Sequence, residues 1–559
     1  MKLYSSPRLY RRETLRRTAA VVALGALTGS LAVAADDHSP AKPQSFFTPG
    51  NLVLSRSVYD NKASNVTVGE VLPPGCASTS VGCPAGSKAT NSGIYPFVFN
   101  NVLADGSFGI TSPIYLDQIA PDGTIINSLE VPNSREAGIQ EGRSQLVTSF
   151  SSKSEVGLHL STDGQYLVFM GYVAPVDALD VSNSNTPGAI DPTNPVGETY
   201  FRAAARVDRR GKFSFTETNA YSGNNGRAAI LNNSDGNFIF YSAGNAGNGN
   251  NPQPAGVVLG AGAQIFDFAG EPESEQEPGT PTPVGSFSVT QLGAKADKIG
   301  KDDNFRGIAI FNNVVYFTKG SGGNGVNTVY FLDTTGAACP KGVGLPSTSA
   351  TLPTTPIVPG PTLTTTGLPS NMCILKGFPS IPNKTATVTA FPFGLWFANA
   401  TTLYVADEGD GYTGGLDLYS HAAKQTTAGL QKWVFDSVSQ SWKLAYVLQK
   451  GLRLGGPNLI TGYPTGINAA TGLPWAPAAD GLRNITGKVL PGGKVSIWGV
   501  TSTISGNGDT GADPNTLDQV IDVLANTDPS VAAGESFVRL RHAKSGEVYR
   551  GISFTPGSN

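Results

Sequence analysis

Arg550-Gly-Ile-Ser-Phe-Thr-Pro556 repeats, almost position for position, the internal segment Arg306-Gly-Ile-Ala-Ile-Phe-Asn312. The internal copy leads into a second strand, Val314-Val-Tyr-Phe-Thr-Lys319, whereas nothing strand-like follows Pro556. The missing partner is found at the other end. Asn51-Leu-Val-Leu-Ser-Arg-Ser-Val-Tyr59 carries the alternation of a strand and has no first strand before it. The two ends are therefore expected to pair in one sheet, and repeated units that close on themselves predict an all-β fold, a β-propeller.

The repeat is a first strand, a turn with Asn or Asp-Gly, and a second strand. Seven starts fit it: Tyr95, Glu155, Arg227, Arg306, Phe393, Arg483 and Arg550. They predict a seven-bladed propeller closed by the N- and C-terminal strands and spanning residues 51–559. Second strands are expected at 113–119, 166–172, 238–242, 314–319, 403–407 and 495–501. Outer strands are expected at 201–207, 329–333, 431–436 and 537–542. Sixty-eight glycines and 39 prolines, with only 14% charged residues, fit short strands joined by turns better than helices. Insertions rich in Pro, Thr or Gly interrupt the pattern at 271–283, 340–390 and 455–480.

Residues 1–35 read as an export signal. Arg8, Arg11, Arg12, Arg16 and Arg17 precede a mildly apolar run that ends in small residues, too short for a good membrane span. Tyr10-Arg-Arg-Glu-Thr-Leu15 resembles a twin-arginine signal, so Sec and Tat routes both stay open. Residues 36–50 are expected to be an N-terminal extension. Removal of the signal takes away six positive charges and one negative, shifting the formal charge from -3 to -8. The expectation is a secreted, periplasmic or cell-surface protein with no transmembrane segment in the mature chain. Its acidic surface argues against nucleic acid as a partner.

Four cysteines in an exported chain point to disulfides. Proximity favours Cys76 with Cys83 and Cys339 with Cys373, and the two other connectivities stay open.

Arg306-Gly-Ile-Ala with Val314-Val-Tyr-Phe, and Phe393-Gly-Leu-Trp-Phe with Leu403-Tyr-Val-Ala-Asp407, resemble NHL, lactonase and SMP-30-type propeller repeats. Asp163-Gly-Gln-Tyr-Leu-Val-Phe169 is similar to the turn of TolB and WD-like blades. The resemblance implies a fold and no single activity. SMP-30-type lactonases hold calcium with a Glu, Asn and Asp set at the channel top. Here Glu155 and Asn484 stand near two starts, but Phe393 and four arginines occupy the others.

In a propeller the first strands line the channel, so aligned starts mark its mouth. Arg227, Arg306, Arg483 and Arg550 would gather guanidiniums there, suited to paired N–H donation to carboxylate, sulfate or phosphate. Lys319, beside a Gly-rich loop, adds a cation, and Glu155 is either their internal counter-charge or an acid/base group. Asp407, Glu408 and Asp410 offer three hard oxygen ligands within four residues, a partial calcium pattern that solvated turns also show. Lipase, zincin and c-type haem signatures are absent from the sequence. Of the histidines, only His159 falls on an inner strand, where core packing is its expected role.

Two functions follow. The first is a secreted propeller that binds an anionic small molecule or glycan at the arginine-lined mouth, or serves as a module for an extracellular protein. The alternative is calcium-assisted hydrolysis of a lactone, phosphoester or related anion, with Glu155, Asp407 and Glu408 as ligands or bases.

Overall fold

The computed structural model describes residues 45–69, 109–140, 144–187, 198–218, 220–221, 223–234, 238–245, 262–267, 285–286, 288–289, 304–321, 325–339, 342–354 and 371–558. The expected signal, Cys76 and Cys83, the Tyr95 start and the insertion at 271–283 lie outside them. Among the described residues, no helix is long and apolar enough to cross a membrane.

Six sheets of at least four strands form the blades of a β-propeller. From the channel outward, blade I runs His159–Leu160, Tyr166–Tyr172, Arg202–Asp208, Phe213–Thr218. Blade II runs Gly226–Asn232, Ile239–Gly244, Ala263–Asp267, Gly285–Ser286. Blade III runs Phe305–Phe311, Val314–Lys319, Thr328–Asp333, Asn371–Leu375. Blade IV runs Pro392–Asn399, Thr402–Asp407, Gly429–Asp436, Ser441–Leu448. Blade V runs Ala478–Leu490, Lys494–Ile504, Thr516–Val523, Val538–His542. Blade VI joins the two ends of the described chain: Glu547–Phe554 is innermost, then Leu52–Val58, Ile114–Ile119 and Ile125–Glu130. Leu52 lies opposite Phe554 in an antiparallel register.

The blade count is six among the described residues, not the expected seven. Segment 113–119 has the alternation of a second strand, yet it pairs with Leu52–Val58 and is the third strand of blade VI. Periodicity distinguishes strand from helix, but it does not say which neighbour a strand takes. Segment 537–542 likewise supplies the fourth strand of blade V.

One apolar cluster fills each interface between blades. Val53 and Ile114 of blade VI meet Leu167 and Phe169 of blade I, and Val168 and Met170 meet Leu231 and Phe240 of blade II. Ile230 and Tyr241 meet Ile308 and Phe317 of blade III. Val314 and Tyr316 meet Leu403 and Val405 of blade IV, and Tyr404 and Ala406 meet Leu482 and Ile497 of blade V. Trp498 and Val500 meet Leu52 and Leu54, returning to blade VI. Successive residues of one strand thus serve two different cores, so second strands are apolar on both faces.

The Arg-Gly-Ile motif has a steric origin. A Cβ on Gly307 would collide with the Phe393 carbonyl, one on Gly394 with the Arg483 carbonyl, and one on Gly551 with Val156 O and Leu158 N. Adjacent inner strands approach most closely at this level, and glycine allows it. The outer strand of blade III, Asn371–Leu375, falls inside the segment 340–390 expected as an insertion, and the disulfide Cys339–Cys373 ties it to the chain that follows Thr328–Asp333.

Candidate functional site

The inner strands begin at one mouth of the channel, where five cationic side chains gather. Arg227, Arg306, Arg483 and Arg550 are each at most 5% exposed, so their partners decide which are available. Arg550 is committed to structure: Nε donates to Ser57 Oγ at 3.0 Å, and its terminal nitrogens donate to the carbonyls of Ser152 and Phe150. Arg227 Nη1 donates to Phe305 O at 2.7 Å and to Asn304 Oδ1. Both tie neighbouring blades together.

Arg306 and Arg483 converge instead on one carboxylate. Arg483 Nε donates to Glu408 Oε2 at 3.2 Å, and Arg306 Nη2 lies 3.7 Å from Glu408 Oε1. Arg306 Nη2 also donates to Ser321 Oγ at 2.6 Å, and its guanidinium stands 5.7 Å from the Phe393 ring centroid. Arg483 opens on a cavity of about 230 Å³ lined also by Lys153, Ser321, Glu408, Asp410 and Asp480, to which Arg306 is linked through its contacts with Ser321 and Glu408. Lys153 enters the cavity from the loop before the inner strand of blade I. Lys153 is exposed to the solvent of the cavity, with its walls standing close around it.

The charges at this mouth act strongly on one another. Burial pushes the Glu408 carboxyl up, but Arg306, Lys153 and Arg483 together outweigh it and hold the group below the ordinary glutamate value. Glu408 in turn pulls Lys153 up, yet burial with Arg306 and Arg483 leaves the amine below an ordinary lysine. Burial and Arg483 lower Arg306 despite Glu408. Glu408 is thus the carboxylate that Arg306 and Arg483 share, while Asp410 and Asp480 also line the cavity.

Two further acids border the site. Burial raises Asp480 to about 7, against hydrogen bonds from Gly411 N, at 2.8 Å, and from the Gln425 amide. Burial raises Asp509 to about 7 as well, against its bond from Gly511 N at 3.0 Å and the charge of Lys153. The 455–480 insertion supports this side, with Tyr463 OH donating to Asp513 Oδ1 at 2.5 Å.

The other expected residues lie elsewhere. Glu155 is fully buried, accepting from Thr148 Oγ1 at 2.6 Å, Ser149 N at 3.0 Å and Tyr172 OH at 2.5 Å. It is not the counterpart of the arginines; Val156 is. Gly157 N bonds Arg227 O and Gly551 packs on Val156 O, so the register of blade I is displaced by one residue. Val156 absorbs the offset with φ of 59°, a strained value for a β-branched residue. Lys319 is buried and donates to Ser321 O at 2.9 Å, shaping that loop from behind.

The three carboxylates of the calcium pattern go to separate partners. Asp407 Oδ2 accepts from Phe391 N at 2.9 Å and Gln431 Nε2 at 3.0 Å, and burial raises it to about 6. Glu408 faces the arginines, and Asp410 Oδ2 lies 2.6 Å from His421 Nε2. Among the described residues, the cluster with metal-ligating side chains is Asp333 with Cys339 and Cys373, whose thiols are joined in the disulfide. His159 lies toward the opposite mouth, where burial lowers it to about 4 and it lines, with Trp396, Phe554 and several Asn, Ser and Thr residues, a cavity of about 760 Å³.

Lys153 and Asp480 are not singled out by the sequence, whereas Asp509 is, paired with Asp513 as a further set of hard oxygen ligands. Lys153 stands two residues before Glu155, and Asp480 three before Arg483, so proximity to predicted starts was their only signal.

No family model and no curated protein matches this sequence. Solved structures similar to it include the periplasmic gluconolactonase of Pseudomonas aeruginosa, at 10% identity and TM-score 0.35, over 90% of this chain and 98% of that one. The NanB sialidase of Streptococcus pneumoniae is similar at 8% identity and TM-score 0.31, over 71% and 61%. A B. megaterium levansucrase is similar at 10% and 0.25, over 60% and 76%.

Proposed function

We propose that this propeller binds a small anionic ligand, a carboxylate-bearing acid or sugar, in the cavity lined by Lys153 and Arg483, with Arg306 next to it against Glu408 and Ser321. The observation that carries the reading is the convergence of Arg306 and Arg483 on Glu408, with the Lys153 amine in the cavity beside them. Lys153 and Arg306 are both driven below their ordinary pKa values. An incoming carboxylate would relieve that repulsion and could take paired N–H donors from a guanidinium. Arg227 and Arg550 belong to the supporting frame, and Arg306, Arg483 and Lys153 are the binding groups.

The test is thermal unfolding of the oxidised protein with glucuronate, dicarboxylates, phosphate or sulfated sugars, each with calcium or with EDTA. A selective rise in Tm reports binding to the folded state. Binding unchanged in Arg306→Ala and Arg483→Ala would reject the reading.

Hydrolysis of an anionic lactone or ester is the second reading. It is favoured by Asp480 and Asp509, whose pKa values near 7 suit proton transfer at neutral pH. Turnover abolished by EDTA and restored by calcium would support the calcium-assisted form.

A further inference from the structure

Lys153 differs from the other cations at this mouth. Each arginine holds at least one hydrogen bond, whereas among the described residues Lys153 makes no hydrogen bond or ion pair through its amine. It is also the cavity's one primary amine among the described lining residues. The short turn Thr510–Ala512 presses on it so closely that a Cβ on Gly511 would collide with Ser151 O and crowd Lys153 N. Asp509, which caps that turn, is thereby held beside the lysine.

Resting on the anion site above, we propose that Lys153 forms an imine with the carbonyl of a ligand that also carries a carboxylate, the class of 2-oxo acids and aldehydic sugar acids. Arg306 and Arg483 hold the carboxylate, which places the carbonyl toward the amine. The amine nitrogen adds to the carbonyl carbon, and the carbon–oxygen π bond opens to a carbinolamine. The hydroxyl leaves as water, both amine hydrogens departing with it, as the C=N bond forms. No oxidation state changes.

The surroundings fit such a step. Glu408, Arg306, Arg483 and Asp509 all act on Lys153, with Asp480 and Asp410 bordering the same cavity. The two guanidiniums favour the neutral, nucleophilic amine. Asp509 retains a proton near neutrality and can lend it to the departing hydroxyl, taking back the second amine hydrogen as the C=N bond forms, so that the net change is loss of one water.

The experiment treats the full chain with glyoxylate and sodium borohydride, which reduces the imine to a stable amine, followed by mass mapping. One adduct is expected at Lys153, formed faster than at any other lysine. Glycolate, which has the carboxylate but no carbonyl, should bind, yield no adduct and slow labelling by glyoxylate. Lys153→Arg should lose the adduct, and glycolate protection of the unaltered protein gives the same answer should that variant not fold. Labelling of Lys153 no faster than surface lysines, in protein that binds both acids calorimetrically, overturns the imine and leaves the anion site standing. Binding of neither acid overturns both.

Discussion

Arg483 Nε and Glu408 Oε2 meet at 3.2 Å where the inner strand of blade V faces the end of the second strand of blade IV, both groups nearly removed from bulk water. Glu408 is the one carboxylate shared by Arg306, Arg483 and the field of Lys153. Its neutralisation in Glu408→Gln should destabilise the protein by about 3–5 kcal/mol, the usual cost of orphaning a buried charge. Added phosphate or glucuronate should recover more Tm in the variant than in the unaltered protein. Equal shifts in the two would separate Glu408 from the ligand site.

Acidification tests the same carboxylate. Its folded pKa is depressed, so its contribution is present above the unfolded value of about 4.3 and is lost as pH falls through the lower folded value. Glu408→Gln should flatten that acid limb in a Tm series below pH 5.

Asp480 and Asp509 act with the opposite sign. Their folded pKa values are raised to about 7 from an unfolded value of about 3.9, so the native state holds extra protons between those limits. Stability should therefore fall as pH rises from 4 to 7, by an amount on the order of a few kcal/mol per group before solvent relaxation. Tm at pH 8 should lie below Tm at pH 5, and Asp480→Asn with Asp509→Asn should remove most of the slope. A Tm that climbs steadily over this range would contradict the assignment.

Strands were legible in the sequence because a second strand such as that beginning Val314-Val-Tyr-Phe317 sends successive apolar residues into two cores: the expected 314–319 matches Val314–Lys319. Sheet order was less legible. Segment 113–119 carries the same alternation as a second strand, and only pairing in space makes it third in blade VI. The arginine starts were visible because their glycines recur, while the site they frame was visible only in part. Lys153 and Asp509 come from loops with no repeat spacing, and the one-residue offset at Val156 is a backbone event that residue identity does not announce.

The glycines of the inner ring offer a steric test. Gly307→Ala and Gly551→Ala would each drive a methyl group into the neighbouring blade, and overpacking of this kind costs about 1–3 kcal/mol. Gly534→Ala is the control, because its Cβ would sit 3.4 Å from Val531 O in ordinary contact. Denaturant midpoints should drop for the first two and stay within about 0.5 kcal/mol for the third.

Between blades IV and V, Lys432 Nζ lies 2.9 Å from Asp522 Oδ2 with both side chains fully buried. Tyr446 OH donates to Asp522 Oδ1 at 2.7 Å, Tyr404 OH donates to Oδ2, and Lys432 also donates to Val523 O and Asn526 O at 2.8 Å. Every polar group there has a partner, so removing one charge leaves the other stranded. Asp522→Asn should cost about 3–5 kcal/mol, whereas the paired apolar replacement Lys432→Met with Asp522→Leu should cost less than the sum of its single changes. Additive losses in that double-mutant cycle would show that the two charges act separately, and the blade interface would then owe its strength to the apolar cluster of Tyr404, Leu430 and Ile497 alone.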